Sequence, residues 1–293
     1  MFTTVSLRGG RTLEYADLGD PTGPPVLLCH GTPGTAGLAA VVADVALECG
    51  VRLVAPSRPG YGASSASPPG LASWGADALE LAGQLGVDRF AAMGISGGGP
   101  FALALGVVAP ERVTSVFVHA GPGPHFDLTA PRDDDAEERR AMEIFGAGDV
   151  DGAVATMTAS ADMDFAPLRE LTDADLGAAL KAMVPPGENW LEAHPPADEV
   201  FHRDFSRAIA TSAGYVRDVL SWGRSWDIDL SRMAPPVRLI YGASDAMVPQ
   251  THAHWLMDRL PGADLAIVPG GHGEVSFGRA RETFAAVAAA YAV

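Results

Sequence analysis

One serine lies among glycines where an apolar segment gives way to an Ala-rich one. Residues 90–95 are apolar and predict a buried strand, Gly94-Ile95-Ser96-Gly97-Gly98 overlaps its end, and residues 98–109 predict a helix that stops at Pro110. Glycines two positions before and after a serine let a strand and a helix approach closely around it. The adjacent helix N-terminus favours negative charge as it develops. This context predicts that Ser96 is a nucleophile.

The same glycine pattern also occurs in turns that bind phosphate. A dinucleotide-binding fingerprint is the main rival, because residues 94–99 are rich in glycine. That motif expects an acidic residue at the end of a second strand about 20 residues later. No Asp or Glu stands there, so phosphate binding is disfavoured.

Two further residues supply what a serine nucleophile needs, namely a base and a carboxylate that orients the base. His272 lies in a glycine-rich loop directly after the last predicted strand, 265–268, and therefore emerges at the same sheet edge as Ser96. Asp245 follows the preceding strand, 237–241. The chain order serine, aspartate, histidine matches one known arrangement of catalytic triads. We predict that Ser96, Asp245 and His272 form such a triad.

Each partner has an alternative interpretation. Asp245 could be a turn aspartate that caps the helix beginning near Pro249. Other histidines compete with His272, but they lie near a strand end or in and beside helices, where surface or capping roles are more common: His119, His194, His202, His252 and His254. His272 alone is flanked by glycines on a strand-end loop, which favours it as the base.

A second glycine-containing loop follows the predicted strand 26–29 and reads His30-Gly31-Thr32-Pro33-Gly34. Acyl transfer requires backbone N–H donors aimed at the oxyanion of the tetrahedral intermediate. Gly97, the residue after the nucleophile, should give one donor. Pro33 has no N–H, so Thr32 is predicted to give the other. A simple strand-to-helix turn is the alternative, and His30 is assigned no proton-transfer role.

The elements that must position these residues alternate between apolar strands and helices. An N-terminal hairpin around Gly9-Gly10 comes first, and a helix from about Ser73, its predicted N-cap, ends at Gly86. Continuously apolar strands separated by helices predict a parallel sheet covered on both faces, an α/β fold. The alternation lapses between about residues 121 and 230 and then resumes.

The interrupted region predicts a helical insertion into one α/β core. We expect core residues 1–121, a helical cap over 122–231 and further core residues 232–293. The predicted helices of the cap are Asp133–Phe145, Val150–Ser160, Thr172–Met183 and Ala208–Trp222.

Composition sets broader limits. The chain has 293 residues, 47% of them hydrophobic, and a formal net charge of −16. This charge argues against binding to nucleic acid or to anionic membranes. Cys29 and Cys49 do not make a disulfide framework. The first residues lack the pattern of a secretory signal and no apolar run reaches about 20 residues, so we expect neither a signal nor a membrane span. We expect a cytoplasmic protein without membrane or nucleic-acid partners; assembly into a homo-oligomer is left open.

Taken together, the motifs resemble the α/β-hydrolase superfamily, and within it the capped esterases, lactonases and proline-iminopeptidase-like enzymes. They are the His30–Gly34 loop, Ser57-Arg58-Pro59-Gly60-Tyr61-Gly62, the Gly94–Gly98 segment, the Asp245 loop and Gly271-His272. The resemblance implies an eight-stranded, mostly parallel sheet with helices on both faces and a helical cap over the active site. It also implies that no metal or organic cofactor is needed.

Departures from that family narrow the chemistry. Dehalogenase and epoxide-hydrolase relatives carry aspartate at the nucleophile position, whereas serine here favours acyl chemistry. Proline iminopeptidases carry glycine where Thr32 stands, and acidic cap residues that hold a substrate amine. Glu188 and Glu192 are available for that role.

The sequence therefore predicts hydrolysis of a carboxylic ester or lactone of a small, largely apolar substrate through an acyl-Ser96 intermediate. Phe126, Trp222 and Met247 are predicted to contact that substrate. The alternatives are a biosynthetic C–C hydrolase, cyclase or acyltransferase, an aminopeptidase, and a ligand-binding protein without turnover.

Overall fold

The computed structural model describes residues 2–132, 135–185, 188 and 190–291 and contains one eight-stranded sheet within them. Its order is β1-β2-β4-β3-β5-β6-β7-β8. The strands are β1 Thr3–Ser6, β2 Thr12–Gly19, β3 Pro25–Cys29, β4 Arg52–Pro56, β5 Phe90–Ile95, β6 Val113–His119, β7 Val237–Gly242 and β8 Asp264–Val268. The predicted α/β class is confirmed.

The sheet is antiparallel only at its first edge, where β1 pairs with β2 and β2 with β4. The predicted N-terminal hairpin is therefore present, with a 3-10 turn over Arg8–Gly10 between its strands. All other pairs are parallel. Every residue of β5 is buried, because helices cover both faces of the central strands and leave no solvated side.

Eleven α-helices accompany the sheet within the described residues. Those of the α/β core are α1 Ala43–Glu48, α2 Leu71–Gln84, α3 Gly99–Val108, α10 Gln250–Met257 and α11 Ala280–Tyr291. Those between β6 and β7 are α4 His125–Leu128, α5 Ala136–Gly146, α6 Val150–Arg169, α7 Asp173–Met183, α8 Pro195–Ala208 and α9 Ala213–Trp222. None of the helices in the described part of the chain is long and apolar enough to cross a bilayer.

The insertion between His119 and Val237 contains no strand in its described residues, in keeping with the predicted helical cap, whose boundaries stay predictions. The predicted helix Ala208–Trp222 was wrong: the segment ends α8 and, after a break at 209–212, forms α9. At this break the Ser212 hydroxyl bonds to α6, donating to Asp162 Oδ1 at 2.6 Å and accepting from Arg169 Nη2 at 2.7 Å. The first two residues of the predicted helix Asp133–Phe145 lie outside the described residues.

The start of α2 also differs from the prediction. Gly70, not Ser73, is the N-cap, and Ser73 lies in the first turn with its hydroxyl donating to the Gly70 carbonyl at 3.0 Å. The free N–H groups of Leu71 and Ala72 instead donate to the Asp227 carboxylate, at 2.9 and 3.3 Å. A cap supplied by a residue so distant in sequence leaves no local signal.

Candidate active site

Ser96 lies at a sharp turn between β5 and α3. Its φ is +51°, in the left-handed region that non-glycine residues rarely occupy. A Cβ on Gly94 would overlap the Gly98 carbonyl, and one on Gly98 would overlap the backbone of Cys29. Glycine at these two positions is therefore what lets the chain reverse at the serine.

Asp245 and His272 are in direct contact, as predicted. His272 Nδ1 lies 2.9 Å from Asp245 Oδ2, and both side chains are almost fully buried. The other carboxylate oxygen, Oδ1, accepts the N–H groups of Met247 and Val248 at 2.9 and 2.8 Å. The carboxylate is thus held by the backbone on one side and directs the proton of His272 to Nδ1 on the other. This arrangement leaves Nε2 unprotonated and able to act as a base.

The loops that carry this pair are joined to each other. The Ala243 N–H donates to the Val268 carbonyl at 2.8 Å, and the Ser244 N–H to the Gly270 carbonyl at 3.1 Å. Ser96 follows β5, and the pair follows β7 and β8, all parallel strands of one sheet. Their carboxyl ends share an edge, which is where α/β proteins place their reactive groups.

The two predicted oxyanion donors are also neighbours. A Cβ on Gly31 would lie 3.7 Å from Ser96 Cβ, and one on Gly97 would overlap the Thr32 hydroxyl and stand 3.2 Å from the Thr32 nitrogen. Thr32 therefore packs directly on Gly97. Any side chain at position 97 would push Thr32 away from it.

His30 is fully buried beneath this loop. Its Nδ1 lies 2.7 Å from the Gly31 carbonyl, and its Nε2 accepts the Arg58 N–H at 3.1 Å. Burial and the nearby Arg58 charge lower the pKa of His30 well below its usual value, so the ring is neutral. Both ring nitrogens of His30 contact backbone groups and hold the loop in place. The sequence had assigned this histidine no role in proton transfer.

A buried ion pair behind the loop was not predicted. Arg58 and Asp218 are 1% and 3% exposed, and Arg58 Nη2 lies 2.5 Å from Asp218 Oδ2. Arg58 stands in the Ser57–Gly62 motif, so the sequence marked this region as one shared with known hydrolases. Asp218 is an ordinary helical aspartate in sequence and gave no signal.

The predicted substrate contacts divide into two groups. Phe126 and Trp222 are buried, and the ring of His125 lies between them, 5.2 and 6.1 Å from their centroids. Met247 is 52% exposed, and its backbone N–H donates to Asp245 Oδ1. That these three side chains bind substrate stays a prediction.

Two ring nitrogens near this aromatic group have no hydrogen-bond partner within the described residues: Trp222 Nε1 and His252 Nε2. His252 stacks on His125, with ring centroids 5.9 Å apart. Its Nδ1 accepts the Gly123 N–H at 3.1 Å, so the proton resides on Nε2. Two buried N–H donors thus belong to rings that both contact His125.

Of the two acidic cap residues, only Glu188 reaches the site. Its Oε2 lies 3.4 Å from the Gly273 nitrogen, and a Cβ on Gly271 would overlap its carboxylate. Glu188 Oε1 is buried without a partner in the described part of the chain. Glu192 is exposed to solvent. A carboxylate therefore lies beside both glycines that flank His272.

Comparison with known proteins identifies the family to which the fold belongs. A family model described as the alpha/beta hydrolase fold matches residues 24–275. A pimeloyl-[acyl-carrier protein] methyl ester esterase from Aromatoleum aromaticum is 33% identical over 228 residues, 75% of this chain and 79% of that one. Haloalkane dehalogenase 2 from Mycobacterium bovis is 38% identical, but the match spans only 36% of its length.

Among solved structures, the enol-lactonase from Burkholderia xenovorans superposes with a TM-score of 0.69 at 16% identity, covering 99% of this chain and 100% of that one. At this identity the likeness concerns the fold alone. The family match extends over most of the chain and includes every element around Ser96, Asp245 and His272. The chain belongs to the α/β-hydrolase fold family.

Proposed function

We propose that the protein hydrolyses a carboxylic ester or lactone of a small, largely apolar molecule through an acyl-Ser96 intermediate. The observation that carries this proposal is the buried Asp245–His272 pair at the sheet edge where Ser96 occupies the turn between β5 and α3. Such a pair turns a weak hydroxyl nucleophile into an effective one.

In the first half of the reaction, Ser96 Oγ attacks the carbonyl carbon and its proton passes to His272 Nε2. Negative charge develops on the carbonyl oxygen, and the N–H groups of Gly97 and Thr32 stabilise it. Protonated His272 then gives its proton to the departing alcohol oxygen. The acyl group remains on Ser96, and Asp245 stabilises the imidazolium while it exists.

In the second half, His272 takes a proton from water, and the resulting hydroxide attacks the acyl carbon. The same two N–H groups stabilise the second oxyanion, and His272 returns the proton to Ser96 Oγ. The products are a carboxylic acid and a regenerated serine. In a lactone the alcohol and the acid are parts of one molecule.

Serine at the nucleophile position supports acyl chemistry over dehalogenation, because dehalogenases of this superfamily carry aspartate there. The similarity to a methyl ester esterase points in the same direction.

Steady-state kinetics on p-nitrophenyl esters and simple lactones test the proposal. Ser96→Ala and His272→Ala should each lower kcat by about 10⁴- to 10⁶-fold, with circular dichroism unchanged. Near-wild-type turnover by Ser96→Ala would contradict an acyl-serine mechanism.

One observation favours a second candidate, an aminopeptidase that acts on a substrate with a free amino group. Glu188 presents a buried oxygen beside His272 that has no partner among the described residues, and a substrate ammonium group could bind there. The comparison of prolyl arylamides with p-nitrophenyl esters decides between the two.

A Glu188→Gln variant completes this comparison, with exposed Glu192→Gln as its matched control. If the protein is an esterase, both variants keep kcat/KM for neutral esters. If it is an aminopeptidase, arylamides are the better substrates, and Glu188→Gln alone raises their KM.

A further inference from the structure

We propose that Arg58 and Asp218 are positioning residues that aim the Thr32 N–H at the oxyanion, so that the helical insertion takes part in the oxyanion hole. The inference deepens the proposed function and rests on it. It is carried by a chain of hydrogen bonds that runs from α9 to the loop beside Ser96.

The first link is the ion pair itself. Arg58 Nε donates to Asp218 Oδ1 at 2.8 Å, and Arg58 Nη2 donates to Asp218 Oδ2 at 2.5 Å. This two-point contact fixes the plane of the guanidinium group. The Phe101 ring stacks beneath it, 4.4 Å from its central carbon. Arg58 therefore has a single orientation, set by a residue of the insertion.

The second link joins Arg58 to the oxyanion loop. Its Nη1 donates to the His30 carbonyl at 2.5 Å and its Nη2 to the Gly31 carbonyl at 3.0 Å. The Gly31 carbonyl and the Thr32 N–H belong to one trans peptide group and point in opposite directions. Because Arg58 holds the oxygen on the buried side, the N–H faces away from Arg58. A cationic donor on the carbonyl also strengthens the N–H as a donor.

The third link holds the Thr32 side chain. Its hydroxyl donates to Asp218 Oδ2 at 2.6 Å and accepts from Arg58 Nη2 at 3.1 Å. The Tyr61 hydroxyl donates to the same Asp218 oxygen at 3.0 Å. Thr32 is thus fixed through its side chain and through its peptide group. The peptide group cannot rotate without breaking these bonds, and its nitrogen stays beside Gly97.

Stability alone does not explain this arrangement. A buried ion pair is often no more stabilising than apolar side chains of the same volume. The Arg58–Asp218 pair also orients the loop beside Ser96, because it makes four further hydrogen bonds to His30, Gly31 and Thr32. Moving α9 would move Asp218, then Arg58, and with them the Thr32 N–H.

Kinetics on p-nitrophenyl acetate with full-length variants test the proposal. Asp218→Asn should lower kcat and kcat/KM by about 10- to 100-fold, a fraction of the loss from removing an oxyanion donor, with KM nearly unchanged. Thr32→Val removes the hydroxyl but keeps the backbone N–H and the Arg58–Asp218 ion pair. It should also lower kcat by about 10- to 100-fold. Thr32→Ser restores the hydroxyl and should recover most of the activity.

A matched control separates this effect from general loosening of the insertion. Arg207 of α8 also joins the insertion to the core through an ion pair, with buried Glu14. It makes no bond to the Gly31–Thr32 peptide. Arg207→Gln should therefore lower the melting temperature while kcat stays close to that of the wild type.

A readout independent of turnover completes the test, namely the Thr32 amide resonance in ¹⁵N-labelled protein. It should move in Asp218→Asn and stay in place in Arg207→Gln. Wild-type kcat in Asp218→Asn and Thr32→Val, together with an unmoved Thr32 resonance, would overturn the proposal. Should the wild-type protein hydrolyse no ester, the proposed function fails, and the Thr32 resonance alone then decides whether Asp218 positions the loop.

Discussion

The two oxygens of Asp245 have different partners, and this asymmetry determines which of them faces His272. Oδ1 is occupied by the N–H groups of Met247 and Val248, whereas Oδ2 faces His272 Nδ1. The backbone thus fixes which edge of the side chain the histidine meets. An asparagine at this position would also have to place an acceptor oxygen toward the two backbone N–H groups.

Asp245→Asn should therefore be nearly inactive. The two backbone donors select the amide oxygen, so the NH₂ group faces His272 Nδ1 and drives the ring proton to Nε2. A ring protonated at Nε2 cannot accept the Ser96 proton, and kcat should fall about 10⁴-fold. Kinetics on a p-nitrophenyl ester measure this, with exposed Asp88→Asn as the control. Loss of less than about tenfold would contradict the assigned role.

At the scale of elements, helix α2 is held by a residue of the insertion. The Asp227 carboxylate accepts hydrogen bonds from two N–H groups in the first turn of α2. The N-cap residue itself, Gly70, has no side chain that could accept them. A residue of the insertion therefore caps the N-terminus of a core helix.

Asp227→Ala should remove this cap without affecting catalysis. The free energy of unfolding should fall by about 1 kcal/mol, the usual effect of losing an N-cap acceptor, while kcat/KM stays unchanged. Urea denaturation compares it with Asp88→Ala, which removes an exposed carboxylate from the loop between α2 and β5. Equal midpoints for the two variants would show that Asp227 does not cap α2.

The sequence predicted the elements of the core better than those of the insertion. Strands such as β5 are continuously apolar, and the Ser96, Asp245 and His272 loops follow such strands directly. Helix α8 was missed because polar residues dominate it, including buried Asp198 and Asp204. Contacts between distant residues, such as Arg58 with Asp218, have no local pattern and required the structure.

At the scale of the whole molecule, buried titratable groups make stability depend on pH. His119, at the end of β6, lies 2.9 Å from the Val275 carbonyl through Nδ1 and 2.8 Å from the Thr283 hydroxyl through Nε2. Burial lowers its pKa from 6.5 to about 4. Between these values the unfolded chain binds a proton that the folded protein excludes. Stability from this residue is therefore complete above pH 6.5 and is lost as the pH falls toward 4.

His119→Gln should flatten this dependence. For a fully buried histidine the loss amounts to about 3 kcal/mol across the interval, at roughly 1.4 kcal/mol per pH unit. Urea unfolding at pH 7 and pH 4.5 measures it in both proteins. Burial raises the pKa of Asp204 to about 6, so its contribution to stability falls as the pH rises. Both proteins contain Asp204, and its contribution therefore cancels when they are compared. An equal decrease in wild type and variant would contradict the assignment.

The central claim is that Ser96 is a nucleophile activated by His272 and Asp245. Its most direct test is peptide mapping by mass spectrometry after brief treatment of the folded protein with a fluorophosphonate. We predict one phosphonyl group on Ser96, complete in the wild type, strongly slowed in His272→Ala and absent in Ser96→Ala. Folded wild-type protein left unmodified at Ser96, or modified equally fast in His272→Ala, would contradict the claim.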